Sequence, residues 1–146
     1  TSFVWDMHAD GNNLNMTDGM NAIGWSFDHA VAAFIEDIEA RGMQDDILLV
    51  CCGEMGRTPR LNKRGGRDHW SKLAPLLLYG GGHRRGQVIG QSDSTGSEPI
   101  GTPNHPGHLI STIMHTLFDI GQLRLVSGIP PQVLQLGAKP QISGLL

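Results

Sequence analysis

Two runs in the chain concentrate the side chains that bind metals and anions. "WDMHADGNN" supplies Asp6, His8 and Asp10, and "GEMGRTPRLNKRGGRDHW" (53–70) supplies Glu54, Asp68 and His69 among five basic residues. A carboxylate and an imidazole from each run would suit a divalent metal, since both donors can sit ~2.0–2.2 Å from zinc. Such mixed ligation favours zinc, manganese or iron over calcium, which prefers an all-oxygen shell. Arg57 and Arg67 are the anion contacts, because a guanidinium can grip phosphate or sulfate through two parallel hydrogen bonds. Each type also has a plainer use. Asp and Asn after a strand are ordinary turn residues, and either arginine can pair with Glu54 or Asp68 instead. Lys63 and Arg64 read as solvated loop charges.

These runs need elements to hold them. "SFVWD" (2–6) is β-branched and aromatic and predicts a strand ending at Asp6. Val31, Phe34, Ile35 and Ile38 fall at helical spacing and predict a helix over 27–41, capped by Ser26 or Asp28 and stopped at Gly42. "ILLVCC" (47–52) predicts a strand buried on both faces, "APLLLYGGG" (74–82) a second, and "GQVIG" (86–90) an edge strand. A helix beginning at Pro106 and ending before Gly121 presents Leu109, Ile110, Ile113, Met114 and Leu117 to a core. His105 would flank its start. This order predicts an α/β layered fold, in which ligands collect at the carboxyl ends of strands. Asp6 and Glu54 are then expected at neighbouring strand ends. Residues 53–73 form a loop of a length that is usually functional or disordered. From Ser127 on, prolines at 130, 131 and 140 predict an irregular tail lying over the surface.

Composition narrows the function. A net charge of −3 argues against a general nucleic-acid binder, which needs a basic face. No apolar run approaches the ~20 residues of a membrane span. Cys51 and Cys52 are adjacent in a strand and read as structural thiols, neither a disulfide framework nor a CxxC site. Ser71 and Thr58 lie near the second run, yet nothing beside them forms a Ser-His-Asp or Cys-His arrangement, and no phosphate-binding glycine loop is present. The opening "TSFVWD" lacks a start methionine and reads as the beginning of a fragment.

Taken together, "WDMHADGNN", "LLVCCGEMGRTPRLNKRGGRDHW", "APLLLYGGG…GQVIGQSD" and "HPGHLISTIMHTLFDI" resemble the C-terminal part of a large bacterial family of sulfatase-like proteins, domain of unknown function 1501. That family is placed in the alkaline phosphatase superfamily. The resemblance runs from Trp5 to about Ile120 and implies a partial layered sandwich over 1–126, with a mainly parallel sheet and flanking helices. It implies metal-dependent cleavage of phosphate or sulfate esters, so the partner is an anionic small molecule or a sulfated or phosphorylated substrate. By chain order it assigns Asp6, His8, Glu54 and His69 as metal ligands, with Asp10 or Asp68 as an alternative or supporting carboxylate. Zinc or manganese is the expected metal. An exported or periplasmic setting follows from the resemblance alone. Two departures stand out: Asp6 and His8 are only two apart, and Glu54-Met55 stands where the superfamily has Asp-His. The superfamily nucleophile comes from an early strand that this chain does not match. The isolated chain is therefore expected to be inactive on generic esters, and to self-associate through exposed core surface.

Overall fold

A computed structural model describes residues 4–145. Asn15 starts the first helix by accepting a hydrogen bond from Asp18 N at 2.9 Å. This helix, α1 (Met16–Gly19), runs through one π-helical turn (Met20–Gly24) into α2 (Trp25–Ala40). The helix is already under way at residue 26, so neither Ser26 nor Asp28 caps it. Gly42, at φ +66°, ends it as expected, and Met43 N reaches back to Ile38 O at 2.9 Å. Only Ile38 of the predicted apolar stripe is fully buried, and Phe34 stays 38% exposed. Glu39 ties α2 to the sheet. It accepts from the Tyr79 hydroxyl and, at 2.7 Å, from Arg85 Nη1, while Arg85 covers the Tyr79 ring.

Apolar runs 48–52 and 76–80 do form strands. β1 (Leu48–Cys52) pairs with the later strand β4 (Leu76–Gly80), Leu48 opposite Gly80 and Cys52 opposite Leu76. Between them β2 (Gly56–Arg57) and β3 (His69–Trp70) make a second two-stranded pair. Both pairings are antiparallel, so the fold is mixed α/β, but the described residues form neither the mainly parallel sheet nor the layered sandwich expected. The cause lies in the β1–β4 connection. A parallel neighbour needs a crossover, usually a helix, whereas residues 53–75 hold only the small hairpin and return the chain antiparallel. With a single neighbour, β1 is half-buried rather than enclosed on both faces.

Two other strand expectations also change. Residues 2 and 3 lie outside the described residues, and 4–6 are not strand, for they find no ladder partner. Asp6 is consequently not at the end of a strand beside β1. Segment 86–90 is irregular, with Gly86 at φ +70° and Gly90 at φ +85° breaking extended backbone and Val88 96% exposed.

α3 (Pro106–Leu117) begins at the expected proline, but its buried face carries Ser111, Thr112 and Met114, while Ile110 and Leu117 face outward. The reason is the segment after 127, expected to be irregular. After α4 (Ile120–Leu123) it forms α5 (Pro131–Leu136) and then packs Ile142 and Leu145 against the protein. Ser111 donates to Lys139 O, Thr112 donates to His108 O at 2.8 Å, and Ile142 N donates to Thr112 Oγ1 at 2.9 Å. Hydroxyls on this face satisfy backbone groups of the incoming tail that an apolar face would leave unpaired. Among the described residues, no helix is long and apolar enough to cross a membrane.

Candidate metal centre

Residues 6–9 lie along the loop before β3, and backbone contacts hold them there. Arg67 N donates to Met7 O at 2.9 Å and Met16 N to Gly65 O at 3.0 Å. Met7 is the anchor, 2% exposed and pressed against Gly19. Ala9 takes φ +55°, an uncommon conformation for a residue with a side chain, as the chain turns away just past His8. On the other side, the β2–β3 register sets Arg57 directly opposite His69. Directly opposed residues share one face of a pair, and both side chains reach Asp6.

Asp6, His8 and His69 converge there, each offering one donor atom, all within 4.8 Å of one another. His8 Nε2 lies 3.1 Å from His69 Nε2 and 3.5 Å from Asp6 Oδ1, and His69 Nε2 lies 3.2 Å from the same oxygen. Donors bound at ~2.0–2.1 Å to a tetrahedral zinc stand ~3.3–3.4 Å apart. The three separations bracket that edge length. The orientation of His8 fits too. Its Nδ1 is 2.7 Å from Arg67 O, and a carbonyl only accepts, so Nδ1 carries the hydrogen and Nε2 presents its lone pair. A ligating imidazole is ordinarily held this way through its other nitrogen. The hydrogen bond from His69, helped by the Arg57 guanidinium and by His8, keeps the Asp6 acid group below its usual range against the opposing effect of burial. The carboxylate is ionised, and its Oδ1 is also the atom that Arg57 contacts.

Other predicted residues fall around this triad. Glu54 follows β1 and lies outside the three-donor group. Its Oε1 pairs with Arg57 Nη2 at 3.0 Å, and its own backbone N–H together with Arg57 lowers its acid group. Arg57 also donates to Asp6, Met55 O and Gly56 O, so its charge sits beside the triad with its hydrogens largely committed. Asp68 approaches His8 Nδ1 at 3.7 Å, on the side of His8 rather than of His69. Asp10 closes its own turn by accepting from Asn13 N and Asn12 N, which lower its acid group. Arg67 directs Nη1 to Thr58 O. His105 lies at the start of α3.

One residue without any signal in its spacing organises the centre. Asn62 donates through Nδ2 to His8 O at 2.9 Å, and its Oδ1 accepts from Arg64 N and Gly66 N at 3.0 Å each. In "NKRGG" it reads only as turn composition, which is why it escapes a search for ligands. Asn62→Ala is expected to weaken zinc binding about tenfold without removing a ligand. Competition with a fluorescent zinc chelator measures this, and unchanged affinity would deny Asn62 the role.

Residues 1–126 match the model of the family described as "Protein of unknown function (DUF1501)", and the chain belongs to that family. No curated protein and no solved structure matches it.

Proposed function

We propose that the chain carries the metal-binding part of a hydrolase-like protein acting on phosphate or sulfate esters. The observation that carries this reading is the convergence of Asp6, His8 and His69 at spacings suited to one cation. Two imidazoles and a carboxylate suit zinc or manganese, and Glu54 can join them by releasing Arg57. A bound metal would polarise the ester's phosphoryl or sulfuryl oxygen as a Lewis acid. Arg57 places a positive charge beside the group being transferred, and Arg67 fixes the loop that orients His8. The sulfatase-like and alkaline phosphatase assignments, with their layered sandwich, rest on the motif resemblance. In that scheme the nucleophile comes from an early strand that no segment of this chain matches.

The test is turnover of aryl phosphates and aryl sulfates by the full-length protein after zinc or manganese loading. We expect metal-dependent activity that His69→Ala lowers at least about a hundredfold and Lys63→Ala leaves intact. Activity indifferent to metal removal and to His69→Ala would refute the proposal. A catalytically silent domain that binds anions or a protein partner is the second reading. Its silence is favoured by Thr58, whose hydroxyl donates to Arg60 O and accepts from Asp68 N rather than standing free as a nucleophile. Phosphate binding with no turnover in the loaded full-length protein would select it.

A further inference from the structure

The hydrogens of Arg57 can be followed one by one. Nη1 gives its pair to backbone, Met55 O at 3.0 Å and Gly56 O at 3.2 Å. Nη2 gives one to Asp6 Oδ1 and the other to Glu54 Oε1 at 3.0 Å. Nε carries the fifth and is buried. A guanidinium has five hydrogens and no acceptor, so an anion arriving from solvent finds none of them free. The two ends of the group differ in how firmly they are held. Nη1 is fixed to the loop backbone, whereas Nη2 is paired with side chains that are 42% (Asp6) and 64% (Glu54) exposed. The carboxylate end is the one that can exchange partners.

Asp6 Oδ1 is also the atom that faces both imidazoles, 3.2 Å from His69 Nε2 and 3.5 Å from His8 Nε2. A divalent cation among these donors would share that oxygen with Nη2. Two positive groups on one oxygen repel each other, and the cation carries twice the charge of the guanidinium. Its attraction for Glu54 acts in the same way on the other Nη2 hydrogen. Nη2 then stands beside a cation with its carboxylate partners drawn away, while Met55 O and Gly56 O still hold Nη1. A tetrahedral oxyanion meets both demands, offering an oxygen to Nη2 and negative charge to offset the cation.

We infer that Arg57 is a metal-dependent anion receptor, closed on Asp6 and Glu54 without metal and turned over to a phosphate or sulfate group once a cation occupies the Asp6, His8 and His69 centre. This rests on the metal-centre reading. It makes cation and anion binding mutually reinforcing, each tightening the other by the same factor.

Zinc affinity with and without inorganic sulfate, and sulfate affinity with and without zinc, test this on the full-length protein at constant ionic strength. Sulfate is a poor zinc ligand in water, so the coupling reports chiefly on Arg57. Zinc should tighten sulfate about tenfold, and sulfate should tighten zinc equally. Arg57→Gln should still bind zinc alone, with the coupling reduced to less than about twofold. Glu54→Gln gives a second reading with no metal present, useful if Arg57→Gln disturbs the β2 turn. By loosening one Nη2 hydrogen it should raise the sulfate affinity of the zinc-free protein about fivefold. Asp68→Asn removes a similarly exposed charge that does not pair with Arg57, and should change that affinity less than about twofold. Zinc binding without coupling, coupling that survives Arg57→Gln, or equal effects of Glu54→Gln and Asp68→Asn would overturn the inference and leave the metal centre standing. A protein that binds no zinc loses both the metal centre and the inference.

Discussion

His69→Ala is expected to lower zinc affinity at least about a hundredfold, while Lys63→Ala changes it by less than about twofold. Changing groups that merely support a metal ligand already costs about 10–100-fold, and His69 would be a ligand itself. Its Nε2 touches both other members of the triad, at 3.1 Å from His8 and 3.2 Å from Asp6. Removing it leaves two donors, too few to hold a cation against water. Lys63 is exposed and forms no ion pair among the described residues. Equilibrium dialysis with elemental analysis separates the two variants. Equal metal content in both would remove His69 from the centre.

Gly66→Ala should disrupt the site through the segment that carries Asp6 and His8. A Cβ there would lie 2.3 Å from the His8 carbonyl carbon and oxygen and 2.7 Å from Met7 O. These are backbone atoms, and Gly66 is itself held by Asn62 at 3.0 Å, so neither side can yield cheaply. Forced overpacking typically costs ~1–3 kcal/mol, and here the displaced segment carries Asp6 and His8. We expect lost stability in urea unfolding together with about tenfold weaker zinc binding. Gly53→Ala is the control, for its nearest neighbour would be Met55 O at an ordinary 3.6 Å. A Gly66→Ala protein matching the Gly53→Ala protein in both measurements would show that the 6–9 segment is not clamped at Gly66.

Legibility in the sequence followed the range of the interactions. The Gly42 stop, the Pro106 start and the apolar runs of β1 and β4 depend on neighbours a few residues away, and they are readable. Strand direction is not local. "LLVCC" and "LLLYG" specify apolar strands but not whether they run together, and the absent crossover makes them antiparallel. The Ser111 and Thr112 face of α3 is likewise hidden, because an apolar-periodicity search passes over hydroxyls whose partners lie 28 and 30 residues downstream. At the site, the two ligand-bearing runs were visible as residue types. Which donors meet depends on contacts spanning 51–63 residues: Arg57 and His69 with Asp6, His8 with His69, and Asn62 with the His8 carbonyl. Glu54 fits the same rule: its place after β1 and its pairing with Arg57, three residues on, are both local and both readable.

The central claim is that Asp6, His8 and His69 together hold one metal ion. X-ray absorption at the zinc edge, on wild-type protein carrying one equivalent of zinc, tests it most directly. The account predicts a nitrogen and oxygen shell at ~2.0–2.1 Å with the outer-shell signature of two imidazoles, reduced to one in His69→Ala. A sulfur shell at ~2.3 Å, from Cys51 or Cys52, would contradict it, as would a spectrum that the His69→Ala change leaves untouched.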